Sequence, residues 1–398
     1  MRQIESDNYP RPRVPKFLLQ LPSARLERWL LIYAITFYLL LCIALFFQFV
    51  QPSLTGSNDL RIGADSATYL DFAGFVGNSK TTALQGVELV TAEGNLLGPV
   101  LVAILARTLF GIALINISLF VIGLYVASTL PGVRLGPFFV LLLLNPTLIP
   151  GLLTVNKEIF SLLAVILFVK YVSSEKRSTL FLLVLLGVAL LARWEQAAVT
   201  GAILFLESRF SPVKRKPKLV LVGLVTLLTV AYPIIIRTKI VDLSAMVTFA
   251  AEGSTGPILN RIQASYGFPL VMIPKTMINL FGHLLSPQLF LSDLVNGNPS
   301  DIQKYFILPI NCIMMLVVMV VVARRKKFKL RDPVIYWCAF YWVITAVSPI
   351  LQPRYQYPVY VLLCLEATGL VLSTAPNSAT IVNRLRPKSR VKIEPRAL

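Results

Sequence analysis

The run Trp29-Leu-Leu-Ile-Tyr-Ala-Ile-Thr-Phe-Tyr-Leu-Leu-Leu-Cys-Ile-Ala-Leu-Phe-Phe-Gln-Phe-Val50 carries no charged residue. A helix needs about 20 apolar residues to cross the hydrocarbon core of a bilayer, and this run supplies them. Leu219–Ile236 repeats the pattern. Both runs are continuous. A barrel strand would instead alternate apolar and polar residues over about ten positions. Helices are the other way to satisfy backbone groups in lipid, so helices are expected. The first run is long and lacks a small-residue cleavage site, so it reads as a retained helix and not as a signal peptide.

The rest of the chain agrees. It is 56% hydrophobic and only 14% charged, too few charges to cover a soluble domain. The expected fold is all-α, a polytopic transmembrane helical bundle of about ten spans. The spans are placed near 29–50, 108–129, 135–151, 157–173, 178–193, 195–208, 218–236, 305–323, 333–350 and 356–374. Residues 96–107 are apolar but short, and are expected to dip into the membrane or lie on it. A basic segment, 1–28, precedes this transmembrane domain (29–374), and a basic tail, 375–398, follows it. Cys42, Cys312, Cys338 and Cys364 all fall in apolar runs without metal-ligand spacing, which points to packing residues.

The net charge of +19 would suggest nucleic acid on a soluble protein. Here the basic residues cluster between apolar runs. With the N-terminus inside, residues 1–28, Arg134, 170–177, 209–218, 324–331 and 384–396 hold 27 of the 38 Lys and Arg on the cytoplasmic side. The positive-inside rule therefore places both termini in the cytoplasm of a multi-pass cell-membrane (inner or plasma membrane) protein. Contact with anionic membrane lipids explains the basic segments without a nucleic-acid partner.

The other 11 basic residues, Arg61, Lys157, Arg193 and Arg354 among them, fall at the outer surface against the bias. A negatively charged substrate is one reason for such placement. Two extracytoplasmic loops, about 51–95 and 237–304, are long enough to suggest function and to contain interfacial helices. The first holds Arg61-Ile-Gly-Ala-Asp65-Ser-Ala-Thr-Tyr69-Leu-Asp71-Phe72, where Asp65, Tyr69 and Phe72 share helical spacing. Asp65 is either a helix N-cap or a reacting carboxylate. Asn145-Pro146 and Asn156-Lys157-Glu158 bracket a short turn. There Lys157 and Glu158 either neutralise each other or face a substrate. Arg193-Trp194-Glu195-Gln196 interrupts the apolar run 178–208. Charges inside such a run are costly unless paired or exposed to a cavity. The last outer turn, Pro353-Arg354-Tyr355-Gln-Tyr357-Pro358, presents an arginine, suited to phosphate, between aromatic rings. His283, the only histidine, lies in the second loop, where it either packs or touches substrate. One histidine cannot build a usual zinc site, and no ligand cluster supports a divalent metal or other cofactor.

Taken in order, these motifs resemble the GT-C superfamily of integral membrane glycosyltransferases, which includes the protein mannosyltransferases and aminoarabinose transferases. The resemblance rests on Gly63-Ala-Asp65-Ser-Ala-Thr-Tyr69-Leu, Asn95-Leu-Leu-Gly-Pro99, Asn145-Pro146, Asn156-Lys157-Glu158, Leu191-Ala-Arg193-Trp194-Glu195 and Pro353-Arg354-Tyr355-Gln-Tyr357-Pro358. It implies a GT-C-like fold and transfer of a sugar from a polyprenyl-phosphate donor to a glycan, lipid or protein acceptor, outside the cytoplasm, for cell-envelope glycan assembly. It also implies Asp65 as the catalytic carboxylate, a general base toward the acceptor hydroxyl, and Arg354 with Tyr355 at the donor phosphate. Arg61, Tyr69, Lys157, Glu158, Arg193, Glu195 and His283 are the further substrate-binding candidates. The family often shows an acidic pair, whereas Asp65 is followed by Ser66. The same pattern is similar to O-antigen and exopolysaccharide polymerases. A lipid-linked oligosaccharide flippase or transporter is a third reading, although no internal repeat is visible and the polar residues lie toward one surface.

Overall fold

The structure is a computed structural model. It describes residues 24–54, 66, 69–70, 97–174, 177–208, 211, 216–237, 255–285, 308–325, 332–348 and 353–370. The described residues are helical, joined by short turns, with no strand among them. In chain order the helices are α1 Ala24–Leu45, α2 Leu97–Ala106, α3 Leu109–Ser128, α4 Leu135–Leu143, α5 Leu148–Leu153, α6 Glu158–Ser173 and α7 Thr179–Ala192. Then follow α8 Trp194–Glu207, α9 Pro217–Arg237, α10 Thr255–Tyr266, α11 Phe268–Leu285, α12 Leu308–Arg325, α13 Pro333–Val347 and α14 Tyr357–Ala367. A π-helical stretch, Phe46–Val50, continues α1 into Gln51–Leu54, and a 3-10 turn, Pro353–Gln356, leads into α14.

The bundle is built around α6. Every residue from Glu158 to Val169 is buried. A helix on a protein surface buries one stripe, whereas one that is apolar all round belongs in the interior. Helices α3, α5, α7 and α14 surround it. Helix α14 is itself buried from Tyr357 to Ala367. Helix α13 packs on α8 and α11, and α12 packs on α11 and α14. The outer faces keep large apolar side chains exposed: Tyr33 and Phe37 on α1, Tyr125 on α3, Leu180 and Leu183 on α7, Val222 and Leu227 on α9. Such a belt is unstable against water and suits a hydrocarbon surrounding. Three stretches, Glu27–Val50, Leu109–Ser128 and Leu308–Arg325, are long and apolar enough to cross a membrane.

Two expected helices differ. The run 135–151 is not one helix, because Pro146 lacks an N–H and collides with the preceding turn. Helix α4 ends at Leu143, the Asn145 side chain accepts a hydrogen bond from the Thr147 N–H at 3.0 Å, and α5 restarts at Leu148. The last helix, expected to reach 374, stops at Ala367. There Leu370 N–H donates to the Leu365 carbonyl at 3.1 Å and Gly369 N–H to that of Glu366 at 3.3 Å. Gly369 has φ +109°. That bonding pattern ends helices on a glycine because a Cβ disfavours the left-handed backbone.

The apolar stretch 96–107 forms α2, lodged between α3 and α7. A Cβ on Gly98 would lie 2.2 Å from the Leu191 carbonyl oxygen, so only glycine allows this approach. Of the second long outer loop, α10 and α11 are described. Helix α11 packs against α12, α13 and the 3-10 turn, so it is built into the bundle. All four cysteines are free and buried.

Candidate functional site

The turn between α5 and α6 is irregular backbone, yet it is buried. Buried backbone must find partners, and side chains from other helices supply them. The Asn116 side chain donates to the Thr154 carbonyl at 2.9 Å; in the preceding turn, between α4 and α5, that of Asn311 donates to Thr147 Oγ1 at 2.6 Å. Asn156 Oδ1 accepts from the Lys157 N–H at 2.9 Å. Held in this way, the turn delivers Lys157 and Glu158 to the first turn of α6, both buried. A carboxylate there is favoured by the positive end of the helix dipole.

Arg193 is the single extended residue between α7 and α8, with φ −161° and ψ 137°. Its N–H closes α7 by donating to the Ala189 carbonyl at 2.9 Å, and its carbonyl accepts from the Ala197 N–H at 3.0 Å to open α8. The break turns the side chain into the bundle. Its Nη2 lies 4.0 Å from Glu158 Oε1. Glu158 is 2% exposed, and among the described residues neither of its carboxylate oxygens receives a hydrogen bond. A buried carboxylate in that state has accepting capacity for a hydroxyl, an amide or water.

The 3-10 turn brings the third part. The Arg193 guanidinium lies 4.4 Å from the centre of the Tyr355 ring, and that of Arg354 lies 5.5 Å from it. Both distances fall within cation–π range. Gln356 anchors the turn by donating to Thr345 Oγ1 at 3.0 Å. Glu195 and Tyr341 interact electrostatically with Arg193. The buried hydroxyls of Tyr341 and Tyr357 make no hydrogen bond among the described residues. Glu158, Tyr341 and Tyr357 thus leave several polar atoms open around one arginine.

The structure therefore brings Lys157, Glu158, Arg193, Glu195, Arg354 and Tyr355 into one neighbourhood. Tyr69 joins it, with Lys157 Nζ 5.9 Å from the ring centre. Ser66, next to Asp65 in sequence, donates to the Val155 carbonyl at 3.1 Å, so this part of the first loop docks on the same turn. Arg61 and Asp65 lie outside the described residues, as does the side chain of His283, whose backbone belongs to α11. Among the described residues no three potential metal-ligating side chains converge.

Tyr341 has no signal in the sequence, because an aromatic residue in an apolar helix gives none locally, whereas Tyr357 stands in the quoted Pro353–Pro358 motif. Lys275 was visible only as one more cation of the outer loop. It is fully buried on α11 and donates to Gln263 Oε1 and to the Ser348 carbonyl, the latter at 3.2 Å. It thereby caps the end of α13, just before the turn carrying Arg354. Helix α11 is none of the ten expected spans, and burial among neutral groups pushes the Lys275 ammonium down to about 7.

Fold and site define an all-helical protein with helices fit to cross a membrane and a buried ionic cluster inside the bundle. No protein-family model, no curated protein and no solved structure matches the chain.

Proposed function

We propose that the chain is a polytopic glycosyltransferase of the cell membrane, GT-C-like, with about ten spans and both termini in the cytoplasm. It moves a sugar from a polyprenyl-phosphate donor to a hydroxyl of a glycan, lipid or protein acceptor on the extracytoplasmic face. The observation that carries this reading is the placement of Arg193 and Arg354 on one ring, Tyr355, beside the open carboxylate of Glu158. Two guanidiniums, with Lys157 nearby, suit a phosphate. An open carboxylate suits sugar hydroxyls.

Asp65 serves as general base. It takes the proton of the acceptor hydroxyl as that oxygen attacks the anomeric carbon. The bond from that carbon to the phosphate oxygen breaks, and polyprenyl phosphate leaves with the electron pair. Arg193, Arg354 and Lys157 stabilise the charge that grows on it. A single displacement inverts the anomeric configuration. Glu158, Glu195, Tyr69, Tyr355, His283 and Arg61 orient the two substrates.

The test is transfer of labelled sugar from a polyprenyl-phosphate hexose by membranes holding the protein. Asp65→Asn should abolish transfer while the protein still elutes as one folded species. Full transfer by that variant removes Asp65 from the mechanism. A ladder of long products instead of single additions identifies the chain as a polymerase. Lipid movement across liposomes without acceptor and without transfer identifies a flippase.

A further inference from the structure

We propose that a groove between α4, α12 and α14, at the opposite end of α14 from the ionic cluster, binds the headgroup of an anionic phospholipid. The groove has a cavity of about 260 Å³. Arg134 and Arg325 line it, together with Pro137, Val140, Leu141 and Val321. Two cations beside an apolar wall match the two halves of a lipid, the charged headgroup and the first part of an acyl chain.

Three features make it a lipid groove rather than a chance depression. First, neither guanidinium meets a carboxylate among the described residues. Arg325 donates to the Ala367 carbonyl at the end of α14, and its guanidinium makes no other hydrogen bond or ion pair among the described residues. Second, α4 begins at Arg134 without a side-chain cap. Among the described residues the first-turn N–H groups of Leu135 and Gly136 have no side-chain acceptor, and the positive end of the helix dipole adds to the arginines. Third, there is room. A Cβ on Gly136 would meet nothing within 4 Å, and Val140, on the apolar wall, is 52% exposed.

The site is held rigidly. Arg134 N–H donates to the Thr368 carbonyl at 3.3 Å, which ties the turn before α4 to the end of α14. Gly369 in that end comes so close to Gly132 that a Cβ would lie 2.8 Å from its carbonyl oxygen. The backbone that carries Arg134 is therefore fixed against the end of α14, to which Arg325 also donates. The positive-inside assignment puts this end of the bundle at the cytoplasmic leaflet, where anionic lipids attract basic pockets between helices. The leaflet rests on that assignment; the lipid class rests on the groove.

The test is native mass spectrometry of the detergent-purified protein with phosphatidylglycerol or phosphatidylcholine. The wild type should retain phosphatidylglycerol about tenfold better or more. The double variant Arg134→Gln/Arg325→Gln should lose that preference, whereas Arg324→Gln, a neighbour outside the groove, should keep it. Equal retention of the two lipids, or equal loss in the Arg324→Gln control, overturns the proposal. Should the double variant misfold, Val140→Trp, which fills the wall from an exposed position, should lose the lipid alone. Retention in Val140→Trp also overturns it. Labelling of Gly136→Cys by an impermeant maleimide reads the leaflet separately, since the four native cysteines are buried. Labelling only from the extracytoplasmic side would reverse the orientation and leave the lipid class standing.

Discussion

The guanidinium of Arg193 lies 4.4 Å from the centre of the Tyr355 ring and 4.0 Å from Glu158 Oε1, so three distant parts of the chain meet at one cation. Arg193 is therefore the partner of a buried carboxylate and, in the proposed function, a phosphate contact as well, and substitutions separate the two.

Arg193→Gln leaves Glu158 buried without its cation. Removing one member of such a pair costs about 3–5 kcal/mol. The double variant Arg193→Gln/Glu158→Gln should recover most of the thermal stability, because neither charge remains. It should not recover binding of farnesyl phosphate, a short polyprenyl phosphate. Thermal melts and a binding isotherm on the same three proteins check this. A single variant as stable as the wild type would refute the pairing.

Gly98→Ala should lower stability by about 1–3 kcal/mol, because its Cβ would collide with the Leu191 carbonyl two residues before Arg193. Transfer activity should fall as well, since α7 has to shift. Gly187→Ala on the same helix meets nothing within 4 Å and should be neutral or stabilising by up to about 1 kcal/mol. Equal behaviour of the two variants in chemical denaturation would show that the close approach is unimportant.

Asn116→Ala should cost about 1–3 kcal/mol, because it strips the buried Thr154 carbonyl of its donor. Asn311→Ala should act similarly through Thr147. Asn116 holds the turn leading to Lys157 and Glu158, and Asn311 holds the start of α5, which leads into that turn. Weaker farnesyl phosphate binding should therefore accompany the stability loss. Unchanged affinity in both variants would uncouple the turn from the site.

Lys275 gives a pH signature. Its ammonium is lowered to about 7 in the fold, against about 10.4 in an unfolded chain. Between those values the unfolded state binds more protons, so the stability linked to this group is full above about 10.4 and falls as pH drops toward 7. Below 7 the contribution is flat. Melting temperatures of the wild type should therefore rise from pH 7 to pH 9.5 more than those of Lys275→Met. Parallel curves would show that Lys275 does not titrate in that window.

The helices were legible because they are local. Continuous apolar runs mark α1, α3 and α9, and Arg193-Trp194-Glu195 marked the break between α7 and α8 at the residue where it occurs. The helix ends at Leu143 and Ala367 also have local causes. Pro146 split an apolar run, and Gly369 ended a helix whose hydropathy continued. The candidate residues were legible as charges out of place, since a charge in an apolar run is conspicuous. Tyr341 and Asn311 were not, because a polar group at an unremarkable helical position gains its meaning only from what faces it.

The sequence by itself determined the helical class, the apolar runs and the charge asymmetry, all consequences of hydration and backbone bonding within a few residues. Only the tertiary structure decided that Glu158, Arg193 and Tyr355 share one neighbourhood, and that Arg134 and Arg325 share one groove. These contacts join residues far apart along the chain. They depend on how buried helices pack around α6, and the packing of whole surfaces cannot be read from any one of them.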